Sequence, residues 1–132
     1  MKKLFRRLFP SKEMRAYNKM YRRHRRELVK HAKETREWDY GWLYDSTIMQ
    51  IRHMYEYYTA RNNVYQSDES LLSLIDSLKY VLDLNEKLDH VWDDAVANGD
   101  HKQDFEDRSK REVELYRGVF WHIADNIMTW WD

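Results

Sequence analysis

Apolar residues return every three or four positions in four successive stretches, and almost nothing interrupts them. That spacing is the period of an α-helix with one packed face. The first stretch runs Met14, Tyr17, Tyr21, His24, Leu28, His31, Thr35, and the second Tyr44, Thr47, Ile48, Ile51, Met54, Tyr55, Tyr58. The third offers Leu71, Leu74, Ile75, Leu78, Val81, Leu82, Trp92, and the fourth Phe105, Val113, Tyr116, Phe120, Ile123, Ile127, Trp130. No clean two-residue alternation lies between turn signals, so strands have no support. Only three glycines and one proline occur in 132 residues, which suits long helices.

The punctuation sets the boundaries. Ser11 after Pro10 is an N-cap for a helix over about 12–35. Asp39 caps a second over 40–60, with Trp38 and Leu43 at the spacing of a hydrophobic staple. Arg61–Gln66, containing Asn62-Asn63, reads as a turn. Ser67, Asp68 and Glu69 start a third helix over 68–97 that Asn98-Gly99 ends. Asp100 or Asp104 starts the fourth, over 104–130. Short connections between such helices predict an all-α, antiparallel four-helix bundle, one domain over 1–132, with a short basic N-terminal extension. That extension, Met1–Phe9, carries Leu4, Phe5, Leu8 and Phe9 and either caps the core or touches a membrane surface. No apolar run approaches the roughly 20 residues a membrane helix needs.

Charge is distributed unevenly. Residues 1–36 hold 14 Lys/Arg against three Glu, and the remainder holds nine against 20 Asp/Glu, so a net charge of zero hides halves of +11 and −11. Within the first helix Arg15, Lys19, Arg22, Arg26, Lys30 and Lys33 recur at helical spacing, nearly opposite the apolar stripe. Repulsion along such a ridge calls for compensation. It comes either from the acidic remainder of the chain, by solvation, or from an anionic guest whose phosphates Arg grips bidentately.

Aromatic residues make up 15% of the chain. Two clusters exceed what a stripe requires: Trp38-Asp39-Tyr40-Gly41-Trp42-Leu43-Tyr44, and Trp130-Trp131-Asp132. An aromatic edge beside a basic edge composes a base-stacking, phosphate-gripping site, and equally a protein interface or a packed core. The candidate ligand-binding residues are therefore Arg15, Lys19, Arg22 and Arg26 for phosphate, with Trp38, Trp42 and Trp131 for stacking. His24, His31, Asn85 and Asp89 interrupt apolar faces, where they hydrogen-bond across the bundle or line a ligand pocket.

Catalytic and metal signatures are missing from the sequence. No cysteine is present, which excludes disulfides and thiolate chemistry and fits a reducing cytoplasm. No glutamate has a histidine three residues later, no His-Glu-x-x-His occurs, and no nucleophile elbow or phosphate loop is found. The expectation is a protein that is not an enzyme and carries no cofactor.

Trp38-Asp39-Tyr40-Gly41-Trp42-Leu43, Arg52-x-Met54 and the terminal Trp130-Trp131-Asp132 resemble a group of small bacteriophage accessory proteins of unassigned function, over roughly residues 15–132. The resemblance implies a phage protein acting in the host cytoplasm. Some such proteins are helical homo-oligomers that sequester nucleotide signals of host defence. By that analogy the leading expectation is a counter-defence protein, itself a homo-oligomer, that binds an anionic, nucleotide-like ligand. The alternatives are nucleic-acid binding along the basic helix, or an inhibitor docking on a host protein.

Overall fold

A computed structural model describes residues 11–34, 40–65, 69–93 and 101–130. Four long helices follow one another: α1, Lys12–Glu34; α2, Tyr40–Tyr65; α3, Glu69–Asp89; and α4, His101–Asn126, which passes into a 3-10 turn at Ile127–Thr129. The all-α class is as the periodicity indicates among the described residues. The chain gathers into two compact units, Met1–Tyr57 and Tyr58–Asp132. The basic extension, Asp39, Ser67 and Asn98-Gly99 lie outside the described residues.

The boundaries follow local chemistry. Ser11 caps α1 as expected: its Oγ accepts from the Met14 backbone N–H at 3.2 Å, and its carbonyl accepts from Arg15. The expected turn at 61–66 is a correction, because α2 stays helical to Tyr65. Asn62 and Asn63 each cost only a few tenths of a kcal/mol against alanine, and no glycine or proline forces a stop. The third helix is also corrected, ending at Asp89 rather than near 97. Asp89 and Asp93 crowd its negative end, His90 pairs with Asp93, and the Arg108 guanidinium takes the Val91 carbonyl. The chain there tightens into i→i+3 turns, Val91 to Leu88 and Asp93 to His90. The fourth helix starts at His101, earlier than the expected 104 and directly after Asp100, which lies outside the described residues; Asp104 and Asp107 stand in its positive first turns.

In the first unit, α1 and the start of α2 run antiparallel. Tyr17 meets Tyr57, His24 meets Glu56, and His31 meets Ser46, so partner numbers fall along α2 as they rise along α1. Tyr44, Ile48 and Ile51 form the apolar core from the α2 side. Met14 and Tyr21, expected within the packed stripe of α1, are exposed. The face that packs is instead centred on buried His24, with Tyr17, Met20, Leu28 and His31 half-buried around it. Polar partners on α2, rather than apolar ones, decide which side of α1 turns inward.

In the second unit, α3 and α4 are antiparallel too, joined at Ser77–His122, Leu84–Gly118 and Val91–Arg108. Leu71, Leu78, Val81, Leu84, Leu88, Val91, Val119 and Trp130 are buried there, with Leu78, Val81 and Val119 fully sealed. Gly118 admits the close approach: a methyl added to it would stand 3.3 Å from Leu84 Cδ1. Phe105, Val113, Phe120 and Ile127, expected in the fourth stripe, are exposed. Val119 on α4 and Trp130 after the 3-10 turn, eleven residues apart, are the buried positions of this stretch.

Candidate functional site

The cations of α1 are the starting point, because helical spacing alone brings them together. Arg15, Lys19, Arg22 and Arg26 stand on one face and, with Asn18 and Arg25, line an open hollow of about 670 Å³. Lys30 and Lys33 extend the ridge toward the helix C-terminus, where basic residues also suit the dipole. Among the described residues no carboxylate lies within ion-pair distance of Lys19, Arg22 or Arg26. Two other cations of the helix are engaged. Arg23 is gripped by Glu56 and lies 3.6 Å from Glu27, and Lys30 is 3.9 Å from Glu34. The repulsion along α1 is thus offset at Arg23 and Lys30, and not by any carboxylate within ion-pair distance of Lys19, Arg22 or Arg26 among the described residues.

The aromatic half of the expected site is arranged differently. Trp38 and Trp131 lie outside the described residues. Trp42 is half-buried on α2 and is not among the residues lining the hollow. Trp130 is core: its indole Nε1–H donates to Ser77 Oγ at 3.1 Å, and its carbonyl lies 3.4 Å from the Tyr58 hydroxyl, which donates to it. The aromatic ring beside the basic residues is Tyr21, 62% exposed, with the Arg25 guanidinium 5.8 Å from its centroid.

A second cluster stands on the inner side of α1; sequence reading named His24, expected to hydrogen-bond across helices or line a pocket, but not His53, Glu27 or Glu56. His24 and His53 stack with centroids 3.9 Å apart and planes within 4°. His24 Nε2–H donates to Glu56 at 2.8 Å, and His53 Nε2–H donates to Glu27 at 2.7 Å. Each helix therefore supplies a His-x-x-Glu pair, His24/Glu27 and His53/Glu56, and each histidine crosses to the other helix's glutamate. The signal was in the sequence: all six histidines carry Asp or Glu three residues later, the reverse of the Glu-x-x-His order of bundle metal sites. No group of three or more such side chains among the described residues is placed to hold a metal ion.

The electrostatics of this cluster are those of buried hydrogen bonds. Burial holds the His53 imidazole below the ordinary histidine range, against the pull of Glu27. The hydrogen bond from His53 draws Glu27 below the ordinary carboxylate range. Burial works to raise Glu56, but hydrogen bonds from His24 and Arg23 prevail and lower it. The pair therefore consists of ionised carboxylates accepting from buried imidazoles.

The other polar residues on apolar faces are hydrogen-bonded as well, His31 across to α2 and Asn85 along its own helix. His31 shares a 2.9 Å hydrogen bond with Ser46. Buried Asn85 donates to Asp89 at 3.2 Å along α3. A second hollow of about 790 Å³ opens between the end of α3 and the start of α4, with carboxylates (Asp83, Glu86, Asp104, Asp107) facing Lys87, Arg108 and Arg111. Its two signs of charge answer one another.

Comparison with protein-family models, curated proteins and solved structures finds no match. The resemblance to small phage proteins rests on the quoted motifs alone. Among the described residues no helix is long and apolar enough to cross a membrane.

Proposed function

We propose that this protein is a non-enzymatic binder that sequesters an anionic, phosphate-bearing ligand of nucleotide size on the outer face of α1. One observation carries the reading: Arg15, Lys19, Arg22, Arg25 and Arg26 converge on a single open hollow of about 670 Å³. Ligand sites commonly enclose roughly 300–1,000 Å³. Guanidinium groups on neighbouring turns offer bidentate donors to phosphate oxygens, and Lys19 adds a point charge. Neither Tyr21 nor Trp42 lines the hollow, but exposed Tyr21 contacts Arg25, which does, and on this reading it supplies the ring that stacks on a base. The phage resemblance gives the reading its context: a counter-defence protein in the cytoplasm of a bacterial host, holding a nucleotide signal without cleaving it.

A nucleic-acid strand is the second reading, favoured because Lys30 and Lys33 continue the ridge past the hollow. From Arg15 to Lys33 the ridge spans about 27 Å, enough for several phosphates. Titration calorimetry with a panel of mono-, di- and cyclic nucleotides, beside inorganic phosphate and a short oligonucleotide, tests both. Saturable heat with a nucleotide, lost in Arg22→Ala/Arg26→Ala, is the expected result. Heat with the oligonucleotide alone moves the protein to the second reading. No heat with any of them overturns the anionic-ligand assignment.

A further inference from the structure

In the second unit, α4 and the 3-10 turn after it carry a line of exposed residues, Lys110, Glu114, Arg117, Trp121, Asp125 and Met128, spaced by three or four. Trp121 is 71% exposed and Met128 82%. Phe120 and Ile127 border them, also exposed. A bare indole with further exposed apolar side chains near it in sequence is a common mark of an interaction site. The charges flanking the indole specify what covers it. Arg117 precedes Trp121 by four residues and Asp125 follows it by four. Among the described residues neither has an ion-pair partner.

We propose that this face of α4 binds a second copy of the same chain, in an antiparallel twofold pair centred on Trp121. A twofold axis through that position sets each residue against the one equally far on the other side of Trp121. Arg117 of each copy then faces Asp125 of the other, so two ion pairs bracket two tryptophans. The order positive–indole–negative is self-complementary in the antiparallel direction, and in the parallel direction it would oppose like charges. A net charge of zero leaves no overall repulsion between copies. The proposal does not rest on the ligand reading, since none of these residues belongs to the hollow on α1.

Sedimentation velocity over a dilution series, from low micromolar to hundreds of micromolar, tests it. The mass is expected to climb from 16.5 kDa toward twice that value with concentration. Trp121→Glu should hold the protein monomeric with an unchanged helical circular-dichroism spectrum, because the indole is exposed within its own chain. Arg117→Glu alone sets like charges opposite each other and should weaken the pair by about tenfold or more. Adding Asp125→Arg to that variant should restore it. Three results overturn the proposal: a wild-type protein monomeric throughout, self-association indifferent to Trp121→Glu, or a charge-swapped double variant no tighter than the single one.

Discussion

His24 on α1 and His53 on α2 lie face to face, and each donates to the glutamate that follows the other by three residues. The arrangement has a definite pH sign. His53 is held below its ordinary pKa of 6.5, so the unfolded chain binds its proton first on acidification. The stability this gives is complete above pH 6.5 and is lost as the pH falls through the folded value. Glu27 and Glu56 are held below 4.5, so their contribution is complete above pH 4.5 and is lost beneath it. His90, raised by Asp93, acts in the opposite sense, but that pair is fully exposed and solvent screens it. Thermal melts across pH should show a plateau above neutrality and a decline that begins below pH 6.5 and steepens below 4.5. His53→Gln should remove the first decline and leave the second. A melting temperature flat from pH 7 to 5 in the wild type would contradict this assignment.

Ser77 joins three parts of the second unit. Its hydroxyl accepts from the Trp130 indole and shares a 2.9 Å hydrogen bond with His122. Ser77→Ala leaves a buried indole N–H without its acceptor, which typically costs about 1–3 kcal/mol. Urea denaturation should show a lower midpoint at unchanged slope. Ser77→Thr keeps the oxygen and should retain most of the stability.

Gly118 decides how closely α4 approaches α3. Alanine there sets a helix-propensity gain of up to about 1 kcal/mol against the push on Leu84. Valine adds two further carbons at a site where even the first stands 3.3 Å from Leu84 Cδ1. Gly118→Val is expected to destabilise by about 1–3 kcal/mol through overpacking. Gly118→Val/Leu84→Ala should recover part of that loss, and two effects that simply add would show that the residues do not meet.

Helical class and the basic ridge were legible in sequence because both are one-dimensional patterns. A period of three to four fixes which residues share a side of a helix, and Arg15, Lys19, Arg22 and Arg26 need nothing else to converge. The orientation of α1 was less legible. Met14 and Tyr21 fit the stripe by spacing, yet the inward face is chosen by Glu56 and His53 on another helix. Trp130 belongs by spacing both to the fourth stripe and to the C-terminal aromatic cluster; it is core, but its hydrogen-bond acceptor, Ser77, lies 53 residues away and no local pattern marks it. The His-x-x-acid repeat was visible throughout, but its meaning required the antiparallel pairing that sets one motif against the other.

Binding on α1 should be governed by charge first and by Tyr21 second. An open, cation-lined hollow draws its ligand by attraction that salt screens, with a Debye length near 8 Å at physiological ionic strength. Raising the salt should weaken a nucleotide steadily. Arg22→Ala or Arg26→Ala, each removing a charge-assisted bond worth about 1.5–3 kcal/mol, should weaken it by about tenfold or more at fixed salt. Tyr21→Ala should cost about 1–3 kcal/mol for a nucleotide and nothing for inorganic phosphate, since only the nucleotide has a base to stack. Trp42→Phe should leave both unchanged, because Trp42 does not line the hollow. A salt-independent affinity, or one that responds to Trp42 and not to Tyr21, would place the ligand elsewhere on the protein.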